Sequence, residues 1–353
     1  MTTRPSAGPI DPAPQTAYYH AGPRQYHESF GLDFEQLAVG QRFVHRPGLT
    51  LSQQDNMEEA MLSCNGAMLH YDARYAAQTS WDRPLMVSTL TLQKVLGMTT
   101  RSLGRRRRIL DMASIRLSAP LFGGDTLYAE TEVLGLAPGD AQTGVATLRT
   151  LGLKPDGSVV ATLDYRVALW RAGAGPGAAR RASPAVEPRF ASHAAREDGA
   201  LVEQAGLYFD DLCEGESFQH WPSRRILPEE SRRQALLSFD WGEGSDDEDA
   251  VPPVPQSWVV GLVVALTTRT FGRVSANLGW TDVHFGQPLM PGDTLRARSS
   301  ILSLRPSAKR PAEGVVGVRT EALNQRDEVV ATFERALLVY RRGEGAPYAQ
   351  AGY

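Results

Sequence analysis

An internal repeat limits the fold of this chain more than any other feature of its sequence. The segment GLDFEQLAVGQRFVH (31–45) recurs 175 positions later as GLYFDDLCEGESFQH (206–220). Three further blocks recur in the same order at offsets of 168 to 170: PLFGGDTLYAETEVL (120–134) as PLMPGDTLRARSSIL (288–302), TGVATLRTLGL (143–153) as EGVVGVRTEAL (313–323), and VVATLDYRVALWR (159–171) as VVATFERALLVYR (329–341). Self-similarity at one period predicts two copies of a single structural unit.

The composition between and outside the blocks sets the expected boundaries. We predict one domain over 28–171 and a second over 203–343. Residues 1–27 are polar and rich in proline, which is typical of a disordered leader. Residues 172–202 are dense in Ala, Gly, Pro and Arg and read as a linker, and residues 344–353 form a tail.

Each copy shows one long apolar segment followed by strand-like runs. The apolar segments, STLTLQKVLGMTTRSLG (88–104) and QSWVVGLVVALTTRTFG (256–272), have helical length and should be buried. In the first copy, runs rich in Val, Leu, Thr and Tyr follow at 109–119, 126–136, 143–152 and 158–170, separated by Gly-Asp and Pro-Asp-Gly turns. The predicted class is α+β, with a long buried helix wrapped by an antiparallel β-sheet in each half, which is a tandem (double) hotdog.

Charge, cysteine count and hydropathy exclude several classes of function. A net charge of −3 gives no general attraction to nucleic acid or to anionic membranes. The longest apolar run, WVVGLVVAL (258–266), is too short to span a bilayer. Cys64 and Cys213 have no metal-binding spacing and fit a reducing compartment. We therefore expect a cytoplasmic protein without nucleic-acid or membrane partners.

The stretch NGAMLHYD (65–72) is the candidate for chemistry. His70 is a side chain of the type that titrates near neutral pH, whereas the amide of Asn65 can orient water but cannot accept its proton. Asp72 begins the helix-like segment DARYAAQ (72–78) and is predicted to be the N-cap of a short helix. The segment 230–256 of the second copy has no histidine, so the first copy alone could hold such a base.

The remaining histidines favour structural roles. A single histidine is more often a satisfied structural residue than a base, and none of the others has a neighbouring acid, amide and turn. They are His20, His27, His45, His193, His220 and His284. His45 and His220 are repeat equivalents at a strand start, which favours a structural explanation.

The segments FEQLAVGQRF, NGAMLHYDARYAAQT, PLMVS and PLFGGDTL, in this order, resemble the MaoC-like family of hydratases and dehydratases. Within it, the tandem layout and the N-x-x-x-x-H spacing resemble the members that act on mesaconyl-CoA-type thioesters. The resemblance implies reversible hydration of a branched or dicarboxylic 2-enoyl-CoA. CoA is then part of the substrate, and no metal or other cofactor is expected.

The resemblance also implies residue roles. His70 would act as general base and acid, and Asn65 would position the water, where the (R)-specific enoyl-CoA hydratases carry Asp and mesaconyl-type relatives carry Asn. The backbone N–H groups of Ser88 and Thr89 would hold the enolate oxygen at a helix N-terminus, where the family usually has Gly. An Asp at position 65 would repel a carboxylated substrate by on the order of 4 kcal/mol at about 4 Å. The alternative explanation for Asn65 is that catalysis has decayed.

The resemblance also suggests which residues bind CoA and how the chain assembles. Arg105, Arg106, Arg107 and Arg108 could bind the phosphates of CoA or form a solvated basic loop. We expect the halves to pair as a pseudo-dimer, with the second supplying the facing wall of the acyl-CoA tunnel; a homodimer is one candidate assembly. Rival functions are a dehydratase or thioesterase acting on a biosynthetic acyl thioester, carried by CoA or a carrier protein, and an inactive acyl-binding hotdog.

Overall fold

The computed structural model describes residues 15–240, 251–343, 345–348, 350 and 353. The part of the chain up to residue 171 contains β1 (Tyr18–Gly22), β2 (Gln25–Glu28), β3 (Arg42–Thr50), α1 (Gln53–Leu62), α2 (Ala73–Ala76), α3 (Ser88–Met98), α4 (Thr100–Leu103), β4 (Arg106–Leu117), β5 (Thr126–Pro138), β6 (Thr143–Leu153) and β7 (Val159–Trp170). The part that follows contains β8 (His193–Ala195), β9 (Leu201–Glu203), β10 (Ser217–Gln219), β11 (Arg224–Arg225), α5 (Pro228–Ser238), α6 (Gln256–Leu266), β12 (Val274–Phe285), β13 (Thr294–Pro306), β14 (Glu313–Leu323) and β15 (Val329–Tyr340).

A central helix packs against an antiparallel sheet in each half. Helix α3 contacts β3, β5 and β6, and its side chains Leu90 and Val95 are buried in the core. Helix α6 packs on β13 through its buried residues, with Leu262 and Val263 among them. Each such side chain contributes about 1.5–3 kcal/mol when fully buried. The predicted α+β double hotdog is confirmed, with the two helices inside the predicted segments.

The sheets reproduce the predicted strand runs. The first sheet has the order β4-β7-β6-β5-β3-β9-β8, and the second has the order β1-β2-β10-β13-β14-β15-β12, with β11 paired to β13. The long strands β4 to β7 and β12 to β15 pair antiparallel, as short turns between successive strands require. Strands β4 and β12 therefore each form one edge of a sheet.

The predicted leader and linker differ from the structure. Of the leader, residues 1–14 lie outside the described residues, but β1 and β2 form a hairpin whose second strand pairs with β10 of the second half. Within the predicted linker, β8 and β9 form a hairpin whose second strand pairs with β3 of the first half. Each hairpin thus precedes one copy in sequence and completes the sheet of the other copy.

Two buried histidine–glutamate pairs hold these hairpins against the opposite halves. The Nδ1 atom of His45 lies 2.8 Å from Glu203, and its Nε2 atom lies 2.7 Å from Thr131. In the second copy, Nδ1 of His220 lies 2.7 Å from Glu28. All four side chains of the two His–Glu pairs are fully buried. The structural interpretation of His45 and His220 agrees with these contacts.

A close contact between a phenylalanine ring and a glycine occurs in both halves of the chain. A Cβ atom at Gly144 would lie 2.4 Å from the ring of Phe34, and one at Gly314 would lie 2.1 Å from the ring of Phe209. No larger residue fits without displacing the ring. Each half therefore keeps a Phe in its first block and a Gly at the start of its third. Among the described residues, no helix is long and apolar enough to cross a membrane.

Candidate active site

His70 ends a short 3₁₀ turn, Met68–His70, and its ring is held by one hydrogen bond. Its Nδ1 atom lies 2.7 Å from the carbonyl oxygen of Leu85. A carbonyl oxygen only accepts, so Nδ1 must carry the proton, and the lone pair of the neutral ring is on Nε2. Nε2 has no hydrogen-bond partner within the described part of the chain. This is the tautomer that a general base acting through Nε2 requires.

Asn56 connects the histidine turn to the start of the central helix. Its side chain is fully buried, and Nδ2 donates to the carbonyl oxygens of His70 at 2.8 Å and Leu85 at 3.0 Å. Its Oδ1 accepts the N–H of Val87 at 2.7 Å. Asn56 therefore holds both segments in one geometry. Sequence reasoning missed this residue because a lone Asn in QQDNMEEAML carries no motif; a fully buried amide is visible only in the structure.

A cavity of about 240 Å³ lies at the N-terminus of α3. Its lining includes Trp81, Leu85, Ser88 and Leu117. The N–H groups of Ser88 and Thr89 belong to the first helical turn, which has no intrahelical acceptors, and the N-cap residue provides no side-chain cap. Free N–H groups and the positive end of a helix dipole are groups that can stabilise an oxyanion.

Asn65 is engaged in a local turn. Its Oδ1 accepts the N–H of Ala67 at 3.0 Å, and its own N–H donates to the carbonyl oxygen of Ala60 at 2.8 Å. The amide Nδ2 has no hydrogen bond among the described residues, so a donor remains for a water or a substrate oxygen. Neither Asn65 nor His70 is part of the cavity wall itself; His70 adjoins it through Leu85.

Asp72 precedes α2 and caps it. Its carboxylate accepts the N–H of Tyr75 at 3.0 Å. This is the N-cap arrangement that the sequence predicted.

No described residue of the second half lines the cavity. Each described lining residue belongs to the segment from Trp81 to Val160, so the expected wall from the second half is not found in the part of this cavity that the structure describes. The halves meet through β8–β9 and β1–β2, whereas the cavity lies beside β4 at the opposite end of the sheet. At the repeat position of Asn56 the second half has the buried Ser231, which is too short to make the same bridges.

The arginine run does not form a loop, and its first member is not available for phosphate. Arg105 is buried, with Nε 2.8 Å from Asp33 and Nη1 2.8 Å from the carbonyl oxygen of Pro176. The other three begin β4, and the Arg107 side chain pairs with Asp140 at 2.9 Å. The cavity adjoins the far end of β4, on the order of 30 Å away along the strand. For Arg105 the CoA-phosphate prediction is wrong, and for the others this separation disfavours it.

Arg83 is a cation near the cavity that sequence reasoning missed. Its guanidinium lies 4.0 Å above the ring of Phe122, which also packs against Trp81 of the cavity wall. The neighbouring carboxylate of Asp125 pairs with Lys154 at 2.8 Å. Arg83 makes no salt bridge within the described residues. Its only signal in the sequence is a single basic residue before PLMVS. No group of three or more His, Cys, Asp or Glu side chains in the described part of the chain could hold a metal ion.

Family models match both halves. A model described as a MaoC-like domain matches residues 33–152, and a model described as mesaconyl-CoA hydratase matches residues 189–348. One match falls in each copy of the repeat, so the first half is similar to MaoC-like domains and the second half is similar to mesaconyl-CoA hydratases.

Similar proteins with curated names include the mesaconyl-CoA hydratase of Cereibacter sphaeroides, which is 34% identical over 155 residues. That match covers 42% of this chain and 45% of the relative. The beta-methylmalyl-CoA dehydratase of Chloroflexus aurantiacus is 30% identical over 152 residues, covering 40% of this chain and 42% of the relative. The matched segments thus span less than half the length of these relatives.

Solved structures with a similar chain path include a MaoC domain protein from Chloroflexus aurantiacus, with 21% identity and a TM-score of 0.39, covering 89% of this chain and 98% of that one. Another is a protein from Mycobacterium tuberculosis described as having a double hotdog fold. It has 24% identity and a TM-score of 0.38, and the match covers 88% of this chain and 99% of that one.

Proposed function

We propose that the protein is a hydro-lyase that adds water reversibly to a 2-enoyl-CoA thioester, with a branched or dicarboxylic acyl group of the mesaconyl-CoA type. The observation that carries the proposal is the pairing of His70, with Nε2 free, and the uncapped N-terminus of α3, braced together by Asn56. The similarity to mesaconyl-CoA hydratases supports the acyl class. A CoA substrate and two free cysteines fit a cytoplasmic enzyme.

In the forward direction, Nε2 of His70 takes a proton from water while the oxygen of that water bonds to Cβ. The electron pair of the double bond moves toward Cα and is delocalised onto the thioester oxygen as an enolate. The protonated His70 then returns a proton to Cα, so the imidazole is regenerated and one water has been added. The hydrogen bond from Nδ1 to the carbonyl oxygen of Leu85 keeps the ring oriented with Nε2 available to the water.

The enolate oxygen needs donors that are already in place. The N–H groups of Ser88 and Thr89 supply them at the end of an 11-residue helix. Removing one such donor from an enzyme typically costs about 10²–10³ in rate. The side chain of Ser88 is exposed and does not cap the helix, which leaves these donors to the substrate.

Two residues favour a carboxylated acyl group. Asn65 is neutral where a carboxylate would repel the second acid group of the substrate. Arg83 is a cation near the cavity without a salt-bridge partner in the described chain, and a guanidinium can bind a carboxylate by two hydrogen bonds. Together they would favour mesaconyl-CoA over crotonyl-CoA.

The test is incubation of the full chain with mesaconyl-CoA and, separately, with crotonyl-CoA. Hydration removes the absorbance of the conjugated enoyl thioester without release of a free thiol, and mass spectrometry then finds the product heavier by one water. Release of free CoA would instead identify a thioesterase. Turnover of an acyl carrier protein thioester but of neither CoA ester would identify the carrier-protein dehydratase. Binding without turnover would identify the inactive acyl-binding protein.

A second copy of the chain is the best candidate for the missing wall of the site. Strand β4 borders the cavity and exposes 46% of Ile115 and 51% of Leu117. The repeat-equivalent edge strand β12 exposes 52% of Leu278 and 44% of Trp280. Unpaired apolar edges of this length favour pairing with another strand.

Charge selects which edges meet. The segment of β4 carries four arginines and one aspartate, whereas β12 carries one charged residue, Asp282, apart from its histidine. Pairing β4 with β4 of another copy would bring like charges together, which destabilises a strand pair. We therefore propose that β12 of a second molecule of this protein covers β4 and closes the cavity.

Light scattering and activity of one variant test this assembly. Trp280→Lys places a charge on the β12 edge far from the chemistry within its own chain. We expect a dimer for the wild type and a monomer with low activity for this variant, while Leu236→Lys, on the exposed face of α5, stays dimeric. A wild-type protein that is monomeric and fully active would contradict a cavity wall from a second molecule, but it would not contradict the proposed hydratase activity.

A further inference from the structure

A second cavity lies where the two halves and the predicted linker meet, away from the site at α3. Its volume is about 110 Å³. Its wall combines Tyr18 from β1, the segment around His193, and residues of the second half. Among its charged lining residues are one aspartate and four arginines: Asp211, Arg189, Arg269, Arg273 and Arg342.

Two of the arginines are neutralised by carboxylates. Arg189 lies 2.6 Å from Glu216, and Arg342 lies 2.9 Å from Asp211. The second pair engages Asp211, the carboxylate among the described residues of the wall.

Arg269 has no acceptor among the described residues. Its Nη1 atom is buried without a hydrogen-bond partner, and its guanidinium packs 4.3 Å from the ring of Phe30 and 5.0 Å from the ring of Trp221. The repeat-equivalent Arg101 differs, since it donates to the carbonyl oxygen of Gln204 at 2.9 Å. The neighbouring Glu28 is bound to His220 and forms no ion pair with Arg269.

Arg273 is also a cation without a carboxylate. It is buried, and it donates to the neutral oxygens of Gly206 at 3.1 Å and Gln204 at 3.2 Å. Its guanidinium lies 3.8 Å from the ring of Tyr208. The cavity is therefore bordered by two positive charges that form no salt bridge with the described residues.

Such an arrangement is costly unless an anion is bound. A buried charge in a protein is normally paired, because its transfer from water is unfavourable. Burial and the cation of Arg101 lower the pKa of Arg269 to about 10, so the side chain still carries its charge at neutral pH.

We propose that this cavity binds a small oxyanion with the chemistry of inorganic phosphate or sulfate, held by Arg269 and Arg273. The volume suits an anion of this size and excludes a whole nucleotide. Because the wall comes from both halves and from the segment between them, the bound anion fastens the halves together. The site does not depend on the proposed hydratase activity.

Thermal unfolding of the full chain against inorganic phosphate, at ionic strength held constant with sodium chloride, tests the proposal. Binding to the folded state should raise Tm saturably, by about 2 °C or more at saturation. Arg269→Met should abolish this rise, while Arg305→Met, which removes an exposed arginine, should retain it. No saturable rise, an equal rise with chloride, or an equal rise in Arg269→Met would overturn the proposal.

Two further experiments complete the test. The first identifies the source of the bound phosphate, and the second applies if the variant does not fold. A rise that CoA produces and inorganic phosphate does not, lost in Arg269→Met, would identify the phosphate of CoA and contradict a free anion. If Arg269→Met does not fold, crystals of the wild type grown in selenate decide the matter. We expect an anomalous selenium peak within hydrogen-bond distance of Arg269; only water there would overturn the site.

Discussion

The carboxylate of Glu203 accepts a hydrogen bond from Nδ1 of His45 at 2.8 Å, so the strand that precedes the second copy is fastened to the first copy. Glu28 and His220 make the same contact in the opposite direction at 2.7 Å. Each half is completed by a strand that precedes the other half in sequence. Cutting the chain within 172–202 would therefore leave two incomplete sheets.

The buried His193 makes stability depend on pH. Burial lowers its pKa to about 4, from about 6.5 in an unfolded chain. Between these values the unfolded state binds a proton that the folded state does not, so the free energy of unfolding rises as pH rises from about 4 to about 6.5. The rise from this one group is on the order of 3 kcal/mol.

Denaturant unfolding at several pH values measures this contribution. His193→Gln should flatten the rise over that window, because the neutral amide does not titrate. His20→Gln, at an exposed position in β1, should leave the slope as in the wild type. Equal slopes in all three proteins would show that His193 is protonated alike in both states.

Asn56 is predicted to position the catalytic groups. Asn56→Ala removes donors to His70 and Leu85 and the acceptor for Val87, so we expect kcat to fall at least tenfold with little change in KM. Stability should fall by about 1–3 kcal/mol. Steady-state kinetics well below Tm separate the two effects. A variant that is less stable but has wild-type kcat would leave Asn56 with a purely structural role.

Arg83 is predicted to select a carboxylated acyl group. Arg83→Gln should lower kcat/KM for mesaconyl-CoA about tenfold, equivalent to about 1.4 kcal/mol of lost binding, and leave crotonyl-CoA nearly unchanged. Arg319→Gln, on the second half, serves as the matched loss of charge. Equal losses on both thioesters would show that Arg83 meets CoA and not the acyl carboxylate.

Asn65→Asp tests the charge argument from the other direction. A carboxylate at this position should reduce kcat/KM for mesaconyl-CoA by more than for crotonyl-CoA, because only the former carries a second negative charge. The ratio of the two values, measured in one buffer, is the readout. An increase in kcat/KM for mesaconyl-CoA would contradict the charge argument and would indicate that Asn65 marks a loss of catalytic activity in this chain.

The sequence predicted the fold well because the repeat and the strand pattern are local signals. The runs 126–136 and 143–152 lie within β5 and β6, and the segment 88–104 contains α3. The hairpins β1–β2 and β8–β9 were missed because their stability comes from contacts far along the chain. Proline-rich and alanine-rich composition does not report pairing with a distant strand.

Only the local interactions of the candidate site could be predicted from the sequence. Asp72 capping is a local interaction, and it is present as expected. The environment of His70 depends on Asn56 and Leu85, which are 14 and 15 residues away, and no pattern links them. A run of arginines looks alike whether solvated or buried, so the structural role of Arg105 could not be seen.

The most direct measurement is the rate of enoyl-CoA hydration by His70→Gln beside His70→Ala. Gln keeps a donor for the Leu85 carbonyl but has no basic nitrogen, so both variants should lose about 10²–10⁴ in kcat. Folding of both is checked by thermal unfolding. If either variant, properly folded, hydrates the substrate within threefold of the wild-type rate, His70 is not the base.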